Sequence, residues 1–331
     1  MDYRKFGNTN LTVSEIGFGA WAIGGSAEVG GVQIGWGPAD DNISVQAIHA
    51  ALDAGISFFD TADFYGIGHS EKIIGDTIGN SAEAVIATKV GQRIGADGKI
   101  EVNYSKDYII SACEASLKRL KRDTIDYYQL HVARVAHLEN GECIEAMDLL
   151  QQQGKIRYWG HSLITFSPEP EAEFLMKAGK GQGFQLVLNL INQLSVPVMQ
   201  NASAKGYGII ARMPLQFGLL SGKIRPTDTF APDDHRAKRL TPSIIQNTLD
   251  VLRTEMVPVA KQYNTTLAGL ALSFILGFKE VSTVIPGIRT PEQVALNTKH
   301  LVKLSAADHS YLASLYETKW KPVLEMIRLQ G

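Results

Sequence analysis

Three apolar segments end on residues that a buried strand would not choose. Asp60 follows "ISFF", Lys89 follows "AVIAT" and His131 follows "DYYQL". A buried carboxylate is costly unless it is paired, so Asp60 needs a cationic partner, and Lys89 is the natural one. Tyr65 sits just beyond Asp60 on a glycine-rich loop. A phenol is a poor acid at neutral pH, with a reference pKa of about 10. A neighbouring ammonium favours the phenolate and so makes the phenol a better proton donor. Asp60 would hold Lys89, Lys89 would tune Tyr65, and Tyr65 would protonate a carbonyl oxygen as an alkoxide forms. His131 would give that oxygen a second hydrogen bond. Acyl transfer does not fit, because no serine or cysteine is paired with a base.

Alone, an Asp–Lys pair at a strand end is a structural ion pair, and a lone histidine is an ordinary core residue. Three such strand ends with a tyrosine beside them point to a site. A barrel aldolase with Lys89 as a Schiff-base amine is the competing chemistry, and it leaves Tyr65 and His131 with less to do.

These residues meet only if their strands are neighbours. Strand-like segments lie at 15–19, 56–60, 84–89, 125–131, 156–162, 185–190, 208–212 and 281–285. Helical spacing fills the gaps at 43–54, 107–120 and 144–153, with Gly154 as a C-cap, and Pro291 opens a further helix. Eight strands alternating with helices predict an α/β chain folded as a (β/α)8 TIM barrel; a doubly wound sheet is the runner-up. A short N-terminal β-hairpin precedes it, from 3–6 and 11–13 around Gly7-Asn8-Thr9-Asn10. No linker divides the chain, which reads as one domain over 1–331. In a parallel barrel, adjacent strands lie about 4.8 Å apart. The second, third and fourth would bring Asp60, Lys89 and His131 together. Two long connections, 21–40 and 216–239, would follow the first and seventh strands, on the face where barrels build their sites.

Composition sets the remaining bounds. Of 331 residues, 45% are hydrophobic and 20% charged, and the net charge is -2, which offers no electrostatic case for nucleic acid or an acidic membrane. Cys113 and Cys143 form no spaced pair. The first residues lack the apolar run of a secretory signal, and the longest apolar run, 267–278, is far short of the ~20 residues of a span. A cytoplasmic, reducing location is the default expectation, with no membrane and no nucleic acid as partners.

Seven motifs stand in order along the chain: "GFGAWAIGG" (17–25), "DTADFYGIGHSEKIIG" (60–75), "ATK" (87–89), "YQLH" (128–131), "GKIRYWGHS" (154–162), "MPLQFGLLSGK" (213–223) and "IPGIRTPEQVALN" (285–297). Together they resemble the aldo-keto reductase family, of the bacterial, NADP-dependent type. The resemblance implies a barrel that reduces carbonyls by hydride transfer from NADPH, reversibly, with the catalytic tetrad Asp60, Tyr65, Lys89 and His131 and with Tyr65 as proton donor. It implies that Ser162 and Gln185 bind the carboxamide, although Leu163 replaces the asparagine common after that serine. Arg212 replaces a stacking tyrosine, as in a subgroup of bacterial members. Leu215, Gly218, Ser221 and Lys223 match the loop over the pyrophosphate. Gly287, Arg289, Gln293 and Asn297 match the adenosine site, where Arg289 would meet a 2′-phosphate. Trp21 and Trp36 would wall the pocket for a small carbonyl or sugar-like substrate. Potassium-channel beta subunits resemble the same family, so a nicotinamide-binding regulatory subunit is the alternative expectation. The oligomeric state is not legible.

Overall fold

The computed structural model describes residues 1–330. Eight parallel strands make one sheet: β1 Phe18–Gly19, β2 Phe58–Asp60, β3 Val85–Val90, β4 Ile125–His131, β5 Ile156–Ser162, β6 Gly183–Val187, β7 Gly208–Arg212 and β8 Thr283–Ile285. They pair strictly in chain order from β1 to β8. Parallel bridges Ile16↔Val284 and Gly19↔Gly287 join the two ends and close the (β/α)8 barrel. Closure requires glycine at 19, because a Cβ there would lie 2.7 Å from the Pro286 carbonyl oxygen.

The expected helices form as Asp41–Asp53, Lys106–Leu120, Glu142–Gln152 and Pro291–Thr298. They pack their apolar faces on the outside of the sheet. The hairpin forms from Tyr3–Lys5 and Thr12–Ser14, in antiparallel register. It plugs the N-terminal end of the barrel, where Phe6, Leu11 and Val13 pack with Phe58, Ala87, Tyr127, Ile210 and Ile285.

Side chains along a strand alternate in direction, so the next inward position on each strand lies two residues on. One step above the plug the interior changes character. Phe58 gives way to Asp60, Ala87 to Lys89, Tyr127 to Gln129 and then His131, and Ile210 to Arg212. The polar layer therefore sits at the C-terminal mouth because the inward register of each strand carries it there.

Several boundaries differ from the sequence reading. The sixth strand runs Gly183–Val187 rather than 185–190. The chain leaves it at Asn189, whose side-chain oxygen accepts from the backbone N–H groups of Ile191 and Asn192. β1 is shorter than 15–19 because only its last two residues pair continuously. The connection after β1 is not a bare loop: it holds a small hairpin, Glu28–Val29 with Val32–Gln33. An unanticipated hairpin, Gln92–Ile94 with Ile100–Val102, follows β3. Cys113 and Cys143 are both fully buried and unpaired. Among the described residues, no helix is long and apolar enough to cross a membrane.

Candidate active site

Lys89 is fully buried, and each proton of its ammonium has an acceptor. Its Nζ donates to Asp60 Oδ2 at 2.7 Å, to the Thr61 carbonyl at 2.7 Å and to the Tyr65 hydroxyl at 3.1 Å. An ammonium has three donors and no acceptor, so its position is fully determined. Burial works against the charged form. The attraction of Asp60 and Tyr65 outweighs it, and the Lys89 pKa lies above the ordinary lysine value. The other Asp60 oxygen accepts from Gln185 at 2.7 Å and from Gln129 at 3.1 Å.

Tyr65 reaches this cluster from the turn after β2, where its backbone N–H donates to the Ala62 carbonyl. Lys89 Nζ also lies 4.6 Å from the centre of its ring. His131 ends β4 and meets the Tyr65 ring edge-on, with centroids 6.1 Å apart. Burial, reinforced by Lys89, Arg212 and His161, holds the His131 pKa well below its usual value. Its imidazole is therefore neutral, and its Nδ1 is buried without a partner. The four residues singled out from sequence thus converge at one mouth of the barrel.

Ser162, at the end of β5, has its Oγ 3.5 Å from Gln185 Oε1. The Ser162 hydroxyl donates to that oxygen only at this long distance, so a ligand amide that approaches both could take its place. Arg212 ends β7 and donates to the Leu163 carbonyl at 3.0 Å and to the Thr165 hydroxyl at 3.2 Å; its Nε is buried without a partner. Beyond Leu215 the chain turns tightly, with left-handed φ values of 56° at Phe217 and 91° at Gly218. The Ser221 hydroxyl donates to the Gly218 carbonyl at 2.6 Å, and Lys223 is exposed. A Cβ added at Gly218 would meet only Ile224 within 4 Å, and one at Gly287 would meet nothing. The backbone is bare at both places.

Gln293 Oε1 accepts from the Arg289 backbone N–H at 2.6 Å, and the Asn297 side chain is buried one helical turn further on. The Arg289 guanidinium is not free. It donates to the Trp36 carbonyl at 3.3 Å and also to the Pro38 carbonyl, which ties the β8 loop to the β1 loop.

Trp21 stacks 6.0 Å from Tyr65 and lines a cleft of about 450 Å³ at the barrel mouth. Trp36 stands behind it rather than in the cleft wall, 5.5 Å from Trp21. His235 fills the space between the two long connections, 4.9 Å from Trp21, 4.3 Å from Trp36 and 4.9 Å from Phe217.

Sequence reasoning did not find Gln129, His235, Arg134, Arg239 or Phe217. For Gln129 a signal existed, since it shares the inward face of β4 with His131, two residues away. For His235 and the arginines there was none, because nothing local tells which side of a long connection turns inward.

The residues fit a nicotinamide dinucleotide. Their donor set includes the Ser162–Gln185 pair beside the lysine–tyrosine pair, an orphaned guanidinium N–H, and bare backbone at Gly218 and Gly287. Comparison with known proteins agrees. The model of the Aldo/keto reductase family matches residues 15–317. The Bacillus subtilis aldo-keto reductase YhdN is 32% identical over 89% of this chain and 87% of its own. The uncharacterised oxidoreductase YqkF of the same organism is 31% identical over 90% of each. The solved structure of a glycerol dehydrogenase from Gluconobacter oxydans superimposes with a TM-score of 0.81, at 29% identity and 96% coverage of both chains. The chain belongs to the aldo/keto reductase family. It is an oxidoreductase of that family, whose members bind nicotinamide cofactors and act on small carbonyl compounds.

Proposed function

We propose that the chain, as one barrel domain, is an NADP-dependent reductase of aldehydes or ketones, working reversibly toward alcohol oxidation. The observation that carries this reading is the 3.1 Å contact between Lys89 Nζ and the Tyr65 hydroxyl, at a buried ammonium already neutralised by Asp60. When bound, the nicotinamide supplies a hydride to the carbonyl carbon. Tyr65 gives its proton to the carbonyl oxygen, and Lys89 stabilises the phenolate left behind. The neutral His131 orients the same oxygen through a ring N–H. In the oxidative direction Tyr65 takes the proton back.

Ser162 and Gln185 would hold the carboxamide, and Arg212 would cover the nicotinamide ring with its planar guanidinium. Leu215, Gly218, Ser221 and Lys223 would line the pyrophosphate path. Gly287, Arg289, Gln293 and Asn297 would receive the adenosine end, where a 2′-phosphate would compete with the Trp36 and Pro38 carbonyls for Arg289. Aldolase chemistry at Lys89 is disfavoured. A Schiff-base amine must be deprotonated, and Lys89 is held as an ammonium above the ordinary range.

The test is steady-state oxidation of NADPH with a panel of sugars, small aldehydes and aryl ketones. Turnover well above background is expected. Tight NADPH binding with no turnover of any carbonyl would overturn the reading in favour of a regulatory subunit like the potassium-channel beta subunits.

A further inference from the structure

All but four of the chain's arginines have a carboxylate within 4.0 Å among the described residues. The exceptions are Arg134, Arg212, Arg239 and Arg289. Arg289 is occupied by the carbonyls of Trp36 and Pro38. The other three line a single cleft, the one walled by Trp21, whose indole stacks on Tyr65.

The rest of that cleft is chiefly apolar, with Phe166, Phe217, Leu240 and Ile327 among its walls, and among the described residues no aspartate or glutamate lines it. Arg134 stands exposed at the rim. Arg212 and Arg239 are half-buried there, and a partly desolvated cation without an anion is costly unless a ligand completes it. Arg239 shows this most clearly. Its guanidinium lies 5.4 Å from the centre of the Phe217 ring, and among the described residues no aspartate or glutamate pairs with it. Burial lowers the pKa of both Arg212 and Arg239, which an incoming anion would reverse. Arg212 already has partners in Leu163 and Thr165 beside the proposed nicotinamide position. Arg134 and Arg239 are the uncommitted pair. Arg134 stands three residues beyond His131, after β4, and Arg239 lies on the connection after β7; both line this one cleft.

We infer that Arg134 and Arg239 form an anion-binding subsite, so that the preferred substrates are small carbonyl compounds carrying a carboxylate or phosphate at the end remote from the carbonyl. The inference rests on the reductase reading of the same site. A forked guanidinium suits either anion. The apolar walls suit a short carbon body between the two ends. A cleft of about 450 Å³ lies toward the small end of the range for ligand pockets, so the body is short.

The experiment compares paired substrates that differ in their charge: 4-carboxybenzaldehyde with benzaldehyde, and glyceraldehyde 3-phosphate with glyceraldehyde. KM is measured for the wild type, Arg134→Met, Arg239→Met and Arg239→Lys, and NADPH Kd by fluorescence. The wild type should show a KM at least tenfold lower for the charged member of one pair, and that pair names the anion. Arg239→Met should collapse the ratio, and Arg239→Lys should restore part of it. Equal KM values within both pairs overturn the subsite and leave the reductase reading standing. A loss of NADPH affinity as large as the rise in KM also overturns it, since the arginines would then serve the cofactor's pyrophosphate. If no carbonyl is turned over, the reductase reading fails. The subsite is then decided by tryptophan-fluorescence titration with 4-(hydroxymethyl)benzoate against benzyl alcohol. Tighter binding of the anion, lost in Arg239→Met, supports it, and equal binding overturns it.

Discussion

Gln185 donates its side-chain amide to Asp60 Oδ1 at 2.7 Å, while Asp60 Oδ2 holds the Lys89 ammonium at the same distance. One carboxylate therefore positions both the lysine beside Tyr65 and the amide beside Ser162. The proton-donating half of the site and the proposed carboxamide-binding half share a single anchor. Any change at Asp60 should be felt in both.

Asp60→Asn removes the negative charge but keeps the shape. Lys89 would then be a buried ammonium without a counter-ion, and breaking such a pair typically destabilises by about 3–5 kcal/mol. A lower Tm is expected, together with a fall in kcat of about a hundredfold or more, as Lys89 loses its hold on Tyr65. NADPH affinity should also weaken, because Gln185 is no longer oriented by an anion. A variant with normal Tm, kcat and NADPH Kd would remove the shared-anchor argument.

Tyr65→Phe deletes one oxygen and keeps the ring that stacks on Trp21. If the phenol is the proton donor, carbonyl reduction should fall by about 10² to 10⁴, with NADPH Kd changed little. Rate loss without affinity loss is the signature of an interaction made only in the transition state. Undiminished turnover would refute the assignment.

The fold and the four central residues were legible because each depends on a local pattern. Asp60, Lys89 and His131 each end an apolar run, and a parallel barrel converts three successive strand ends into neighbours. The polar layer that supports them was only partly legible. Gln129 could have been inferred from its two-residue spacing to His131, whereas the Gln185–Asp60 bond spans 125 positions of sequence and depends on barrel closure. The boundary at 183–187 was missed because the apolar residues beyond it look like strand, and only the turn at Asn189 ends it. The Arg289 contacts with the β1 loop and the His235 cage were illegible. Both join distant connections whose course is set by packing, not by periodicity.

Arg289→Ala tests two things at once. Charge-assisted hydrogen bonds contribute about 1.5–3 kcal/mol, so NADPH affinity should drop roughly ten- to a hundredfold while NADH affinity moves much less. Equal losses for both cofactors would remove the phosphate argument. The structure adds a second outcome. With the Trp36 and Pro38 carbonyls released, amide hydrogen exchange over residues 34–40 should rise even without cofactor. Unchanged exchange there would show that the β1 loop is held by its aromatic contacts alone.

Acid sensitivity follows from the buried imidazoles. Burial lowers the pKa of His161 and of His235 to about 4, against about 6.5 in an unfolded chain. Between those values the unfolded chain binds more protons than the folded one, so stability is full above about pH 6.5 and declines as the pH falls toward 4. At pH 5 each such ring should remove on the order of 1 to 2 kcal/mol. His235 permits a clean test, because neither ring nitrogen has a partner to lose and its neighbours Trp21, Trp36 and Phe217 are aromatic. His235→Phe should keep or raise the Tm at pH 7.5 and should shrink the drop in Tm between pH 7.5 and 5. A large loss of Tm at pH 7.5 would mean that the imidazole makes a polar contact the packing does not reveal. An unaltered acid response would mean that the ring is not held neutral in the folded protein.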